Sequence, residues 1–152
     1  MTAVVVRVAD ERDLQHPDVG GPAGEYRPQL SAIMRAREGV VLVGELGGEI
    51  VGRVTVVTSG RGADISGFVV SELRRRQGIG TTILEAAEAE ARRRGCTEVR
   101  LTVAKENPGA LALYIGCGYE RVGEGRSAGL RTPEGVVVHE PEPVWRMVKP
   151  VS

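Results

Sequence analysis

The segment Phe68-Val69-Val70-Ser71-Glu72-Leu73-Arg74-Arg75-Arg76-Gln77-Gly78-Ile79-Gly80-Thr81-Thr82-Ile83-Leu84 runs from a β-branched strand, through a basic turn with two glycines, into an amphipathic helix. The helix is predicted over Thr81–Arg94, with Ile83, Leu84, Ala87 and Ala91 on one face and Gly95 as its stop. Glu88 to Arg92 and Glu90 to Arg94 are spaced as i,i+4 ion pairs, and Arg92 to Arg94 suit the negative end of the helix dipole as a solvated terminus. Backbone amides at a helix N-terminus attract phosphate, and glycine lets a ligand approach them closely. The same glycine pair equally suits a tight strand-to-helix turn that binds nothing. Two common phosphate loops do not fit. A dinucleotide fingerprint needs a third glycine where Ile83 stands, and a Walker loop needs Gly-Lys-Ser/Thr where the chain reads Gly80-Thr81-Thr82.

Upstream, Thr2–Val8 is Val-rich and predicts a strand, and Asp10 begins a short helix to Gln15. His16–Gly24 is crowded with Pro and Gly and reads as a loop, whereas Leu30, Ile33 and Met34 predict a helix within Tyr26–Arg37. Val40–Leu46 and Glu49–Thr58, joined by Gly47-Gly48, form a hairpin, and Ala63–Val70 adds a third antiparallel strand. Downstream, Glu98–Val103 is a strand. Asn107-Pro108 is an N-cap followed by proline at the first helical position, opening a helix to about Ile115. Tyr119–Val122, Val136–His139 and Val144–Val148 are closing strands, with Gly123–Gly135 as a loop. The order predicts an α/β (α+β) fold with a mixed, mostly antiparallel central sheet flanked by helices, in a single domain over residues 1–152.

Arg75-x-x-Gly78-x-Gly80 resembles the Arg/Gln-x-x-Gly-x-Gly/Ala signature of the GNAT superfamily of N-acetyltransferases. Asn107-x-x-Ala110-x-x-x-Tyr114, followed by Gly118-Tyr119, resembles that family's second signature at the expected separation. The resemblance is strong from Ile65 to about Val122 and implies acetyl-CoA as cosubstrate and an amine as acceptor. It implies that Phe68, Val69 and Val70 pair with the pantetheine arm as an added strand. The amides of Arg76, Gln77, Gly78, Ile79, Gly80 and Thr81 would then cradle the pyrophosphate, with Arg75 opening the loop. Asn107 either caps its helix alone or also bonds the pantetheine.

For chemistry, the resemblance implies that Tyr114 donates a proton to the departing thiolate, and its ordinary alternative is a core tyrosine. A backbone N–H near Val70 is the implied oxyanion donor. The general base is open. Asp64 stands eleven residues before Arg75, where the histone-acetylating branch has a Glu, and it is either that base or an ordinary strand-end carboxylate. Thr102 occupies the place where the ribosomal-protein-acetylating branch has a Glu, Glu45 is a third candidate, and water alone is a fourth. Ile115-Gly116 replaces the usual Glu-Lys/Arg after the tyrosine, which weakens the last turn of that helix. His139, Glu140 and Glu142 either bind a cationic amine or form a solvated loop. A non-catalytic acyl-CoA-binding domain is the competing reading.

Composition narrows the partners. The 152 residues carry 20 basic and 20 acidic side chains, which gives no global attraction to nucleic acid or anionic membrane. One Trp, three Tyr and one Phe are too few for a base-stacking platform. Cys96 and Cys117 form no C-x-x-C pair and lie far from both histidines, so no metal site is expected. They are read as buried free thiols, with a disulfide as the alternative. No signal-peptide pattern or bilayer-length apolar run is present, which places the protein in the cytoplasm as an expectation; the family adds a homodimer.

Overall fold

The computed structural model describes residues 3–71 and 78–151. Arg75, Arg76 and Gln77, and the first residue of the predicted Thr2–Val8 strand, lie outside the described residues. The elements are β1 (Val5–Val8), a 3-10 turn (Glu11–Gln15), α1 (Pro17–Gly20), α2 (Arg27–Arg35), β2 (Gly39–Leu46), β3 (Glu49–Ser59), β4 (Gly62–Val70) and α3 (Ile79–Arg93). There follow β5 (Glu98–Ala104), α4 (Pro108–Gly116), β6 (Glu120–Arg126), β7 (Leu130–Arg131), β8 (Val137–His139) and β9 (Pro143–Pro150).

Seven strands form one sheet in the order β1-β2-β3-β4-β5-β9-β6, and β7 with β8 makes a small separate hairpin. Only β4 and β5 run parallel; every other pair in the large sheet is antiparallel. The sheet is the mixed, mostly antiparallel one expected. Strand alternation separates two cores. Val40 and Leu42 of β2 face α3, where they join Ile79, Ile83, Leu84, Ala87 and Ala91. Val41 and Val43 face the other way, onto Leu14, Val19 and Leu30. Gly44 and Gly52 oppose each other across β2 and β3, and a Cβ at either would stand within 2.9 Å of the Ile83 side chain. Two glycines thus let a bulky isoleucine lie directly on the sheet backbone. Gly47 and Gly48 close the hairpin with φ of +61° and +82°, the double left-handed geometry that a two-residue turn needs.

Several boundaries differ from the sequence reading. Asp10 caps a 3-10 turn rather than an α-helix. The reciprocal bonds between Asp10 and Asp13, and the Arg7 fork on Asp13 at 2.7 and 2.8 Å, fasten that turn to β1. His16–Gly24 contains the four-residue α1, whose first turn is capped by His16 Nδ1 accepting from Asp18 N–H at 3.1 Å. So short a turn has no apolar periodicity to reveal it. β6 continues through Gly123 to Arg126, and the loop predicted after it holds β7. Helix α3 starts at Ile79, two residues early, because Gly78 takes the left-handed conformation of the N-cap. Glu90 pairs with Arg93 and Arg94, but Glu88 does not pair with Arg92. Glu88 is buried, 2% exposed, and accepts from Tyr119 Oη at 2.8 Å and Lys149 Nζ at 2.9 Å. Arg92 instead donates to the Val151 carbonyl. Cys96 is buried, Cys117 is half-buried, and both are free.

Candidate active site

The site begins with a break in the sheet. β4 pairs with β5 only through Gly62 with Glu98, Ala63 with Val99 and Asp64 with Arg100. Beyond that point β4 stays on β3 as far as Val70, while β5 stays on β9 as far as Ala104. The facing edges of Ile65–Val70 and Leu101–Ala104 therefore carry no ladder between them. Unpaired edges inside a sheet are costly to leave and are suited to an extended ligand with amides of its own.

A bulge lies just past the parting. The β3–β4 register shifts between Arg53 and Thr55, with Gly67 at φ +58°. Thr55 Oγ1 bonds the Ser66 carbonyl at 2.9 Å, and Arg53 Nη1 donates to the Gly67 carbonyl at 2.6 Å. A Cβ at Gly67 would lie 2.4 Å from Arg53 Nη1, so only glycine admits both this backbone and this contact. Past the bulge, Phe68 and Val70 turn toward the α3 core.

Past the C-terminal end of β4, the N-terminus of α3 has no side-chain cap among the described residues. Its first intrahelical bond is Thr82 N–H to the Gly78 carbonyl at 3.1 Å, and no side chain among the described residues satisfies the amides of Ile79, Gly80 and Thr81. The two glycines serve different ends. Gly78, at φ +77°, supplies a backbone turn with open space above it. Gly80 supplies clearance, since its Cβ would meet Phe68 at 3.3 Å and Leu113 at 3.7 Å. Asn107 Oδ1 caps α4 by accepting from Ala110 N–H at 3.1 Å, as expected.

Tyr114 projects from α4 into the core beside the split. It is 7% exposed, and its ring meets Phe68 edge-on at 6.1 Å between centroids and Tyr119 at 5.9 Å. Its hydroxyl has no hydrogen-bond partner among the described residues. Burial, then the neighbouring Cys117, pushes its pKa up to about 12, so the phenol is protonated at neutral pH. Tyr119, behind it, is anchored by buried Glu88, and burial together with that carboxylate raises its pKa further.

Asp64 sits at the last paired position of β4 and β5, with its side chain exposed and 3.3 Å from Arg100 Nε. No contact joins Asp64 to Tyr114 among the described residues. Glu45 is bound to Arg7. Thr102 is exposed on β5 opposite Arg146.

Arg53 and Tyr26, which the sequence reading left without a role, meet His139 on the other face of the sheet. Arg53 lies on β3, 4% exposed, with its guanidinium 5.0 Å from the Tyr26 ring centroid. Tyr26 Oη shares a 2.6 Å hydrogen bond with His139 Nε2, so the β7–β8 hairpin reaches across to the loop before α2. His139 is thus engaged in a tertiary contact rather than purely solvated. The one sequence signal was an arginine interrupting the apolar alternation of β3.

A model of the acetyltransferase (GNAT) family matches residues 6–119. An aminoglycoside N(6')-acetyltransferase type 1 from Klebsiella aerogenes is 35% identical over 68 residues, which is 45% of this chain and 45% of that protein. The chain is thus matched over rather less than half of that relative's length. Among solved structures, an IAA acetyltransferase from Bacillus cereus superposes with a TM-score of 0.75 at 18% identity, covering 97% of this chain and 99% of the other. A mutant of the spermidine N-acetyltransferase from Vibrio cholerae superposes at 0.77 with 18% identity, covering 98% and 94%. Fold, split sheet and family match agree, and the chain belongs to the GNAT family of acetyltransferases.

Proposed function

We propose that the protein transfers an acetyl group from acetyl-CoA to a primary amine by direct attack within a ternary complex. The observation that carries this is the split between β4 and β5 with a protonated Tyr114 beside it that has no hydrogen-bond partner among the described residues. The pantetheine arm would lie in the split along Phe68, Val69 and Val70. Its pyrophosphate would lie over the amides of Ile79, Gly80 and Thr81, with Arg75, Arg76, Gln77 and Gly78 completing the loop. Asn107 caps α4 with Oδ1 and has its amide nitrogen left for the pantetheine.

The amine nitrogen attacks the thioester carbon and the carbonyl becomes an oxyanion, held by a backbone N–H near Val70. The carbon–sulfur bond then breaks. Tyr114 gives its phenolic proton to the thiolate, and the proton lost by the amine returns through solvent to the phenolate, leaving an amide and free CoA. Asp64 is the candidate base. Its engagement with Arg100 favours action through a water rather than direct contact. Acetyl-CoA and acceptor meet in the cytoplasm in this reading.

The test is free-CoA release from acetyl-CoA across a panel of amines, followed by mass spectrometry of the product. Release that requires an amine and yields its acetamide supports the transferase. Acetyl-CoA binding without release for any amine would make the chain a non-catalytic acyl-CoA-binding domain.

A further inference from the structure

Arg53 presents a problem of charge. It is 4% exposed, its Nε is buried without a hydrogen-bond partner, and no carboxylate pairs with it among the described residues. Its contacts are the Gly67 carbonyl and the face of Tyr26. Neither neutralises a guanidinium, and a buried cation without a counter-ion is costly. Other buried ionic groups of this protein are matched: Asp13 by Arg7, Glu88 by Lys149 and Glu90 by Arg93 and Arg94. Arg53 is the exception among the described residues, and it sits at the bulge just past the point where β4 leaves β5.

We propose that Arg53 is the anion-binding end of the acceptor site, and that the acceptor is a compact amine carrying a carboxylate. The proposal rests on the acetyl-transfer reading and adds the acceptor's class to it. Arg53 faces away from α3: its neighbours Gly52 and Val54 contact the α3 side, and Tyr26, the ring it stacks on, belongs to the α2 side. Cosubstrate in the split and acceptor on the α2 face would then approach the same stretch of β4 from different directions. The guanidinium lies over β4 itself, so it is about one strand spacing, ~5 Å, from the split. A carboxylate held there leaves its own amine within reach of the split only if the two groups are a few bonds apart. Tyr26, the ring against Arg53, is joined to His139 across 113 residues of sequence by a 2.6 Å bond. The same guanidinium would repel a polycationic acceptor at this position. Guanidinium is the cation whose planar fork matches a carboxylate.

The experiment compares matched acceptors on the wild-type enzyme: glycine with glycinamide, β-alanine with β-alaninamide, and a set of L-amino acids with their amides. The amide's amine is the less basic and the more easily deprotonated, so a preference for the acid is not a reactivity effect. The expected result is a kcat/KM favouring the acids by on the order of 100-fold, lost in Arg53→Gln mainly through KM and partly recovered in Arg53→Lys. Equal use of acids and amides, or transfer only to amines without a carboxylate, overturns the Arg53 assignment while acetyl transfer stands. Transfer to nothing in the panel or among uncharged and cationic amines instead defeats the acetyl-transfer reading. In that case the 15N resonance of Arg53 Nε, titrated with β-alanine and with β-alaninamide in the presence of CoA, decides the anion site. A shift with the acid alone retains it, and no shift removes it.

Discussion

Replacing Tyr114 by Phe removes one oxygen and leaves the ring in place between Phe68 and Tyr119. The hydroxyl has no partner among the described residues, so the folded state loses no internal hydrogen bond, and stability at pH 7 should change by less than about 1 kcal/mol. The chemistry should not be so tolerant. If the phenol supplies the proton to the leaving thiolate, kcat falls roughly 10- to 1,000-fold, or ~1.4–4 kcal/mol in the barrier, while acetyl-CoA affinity is little changed. The pKa of about 12 adds a second readout with a definite sign. Below pH 10 the tyrosine is protonated in both the folded and the unfolded chain and contributes no pH dependence. Between about pH 10 and 12 the unfolded chain ionises first, so stability falls as pH rises, by about 2–3 kcal/mol once the folded pKa is passed. Tyr114→Phe should abolish that component of the alkaline limb. The assays are steady-state thiol release and denaturant unfolding at a series of pH values. An unchanged kcat would refute the acid role, and an unchanged alkaline limb would refute the burial argument behind the raised pKa.

Other perturbations test the remaining parts. Asp64→Asn should shift the acid limb of the kcat/KM profile if Asp64 is the base, and an unaltered profile assigns that task to water or another group. Gly78→Val should weaken CoA at least 10-fold by calorimetry through steric cover of the amides and strain at φ +77°, with the circular dichroism spectrum retained; equal affinity would sink the pyrophosphate assignment. Glu88→Ala leaves Lys149 and Tyr119 facing a buried gap and should cost about 3–5 kcal/mol in unfolding free energy, whereas a loss below 1 kcal/mol would show that the network is not stabilising. Arg7 holds the Asp13 carboxyl below its ordinary range, so this contribution is present above pH ~4 and lost as pH falls through the lowered pKa. Asp13→Asn should flatten the acid limb of stability, and an identical limb in variant and wild type would contradict the pairing.

What the sequence determined by itself was everything encoded over a few consecutive residues. The Gly47-Gly48 turn, the apolar stripe of α3, the Asn107-Pro108 start of α4 and the glycine turn at Gly78 and Gly80 each follow from the backbone freedom or periodicity of neighbours in the chain. Two spaced signatures then identified the family, and the family model over residues 6–119 bears this out. Short or non-periodic elements escaped, as α1 and β7 did, because four residues or two carry no repeat to read. The tertiary structure alone decided how residues distant in sequence share charge and space. Glu88 looked like half of an i,i+4 pair with Arg92, yet burial turned it toward Lys149, 61 residues away. Arg53 looked like an ordinary strand residue, and only the bulge at Gly67 and the Tyr26 ring made it a buried cation with no anion among the described residues. Periodicity reports which face a side chain occupies. Which partner waits on that face depends on strand register and on where β4 leaves β5, and those are settled only when the whole sheet has closed.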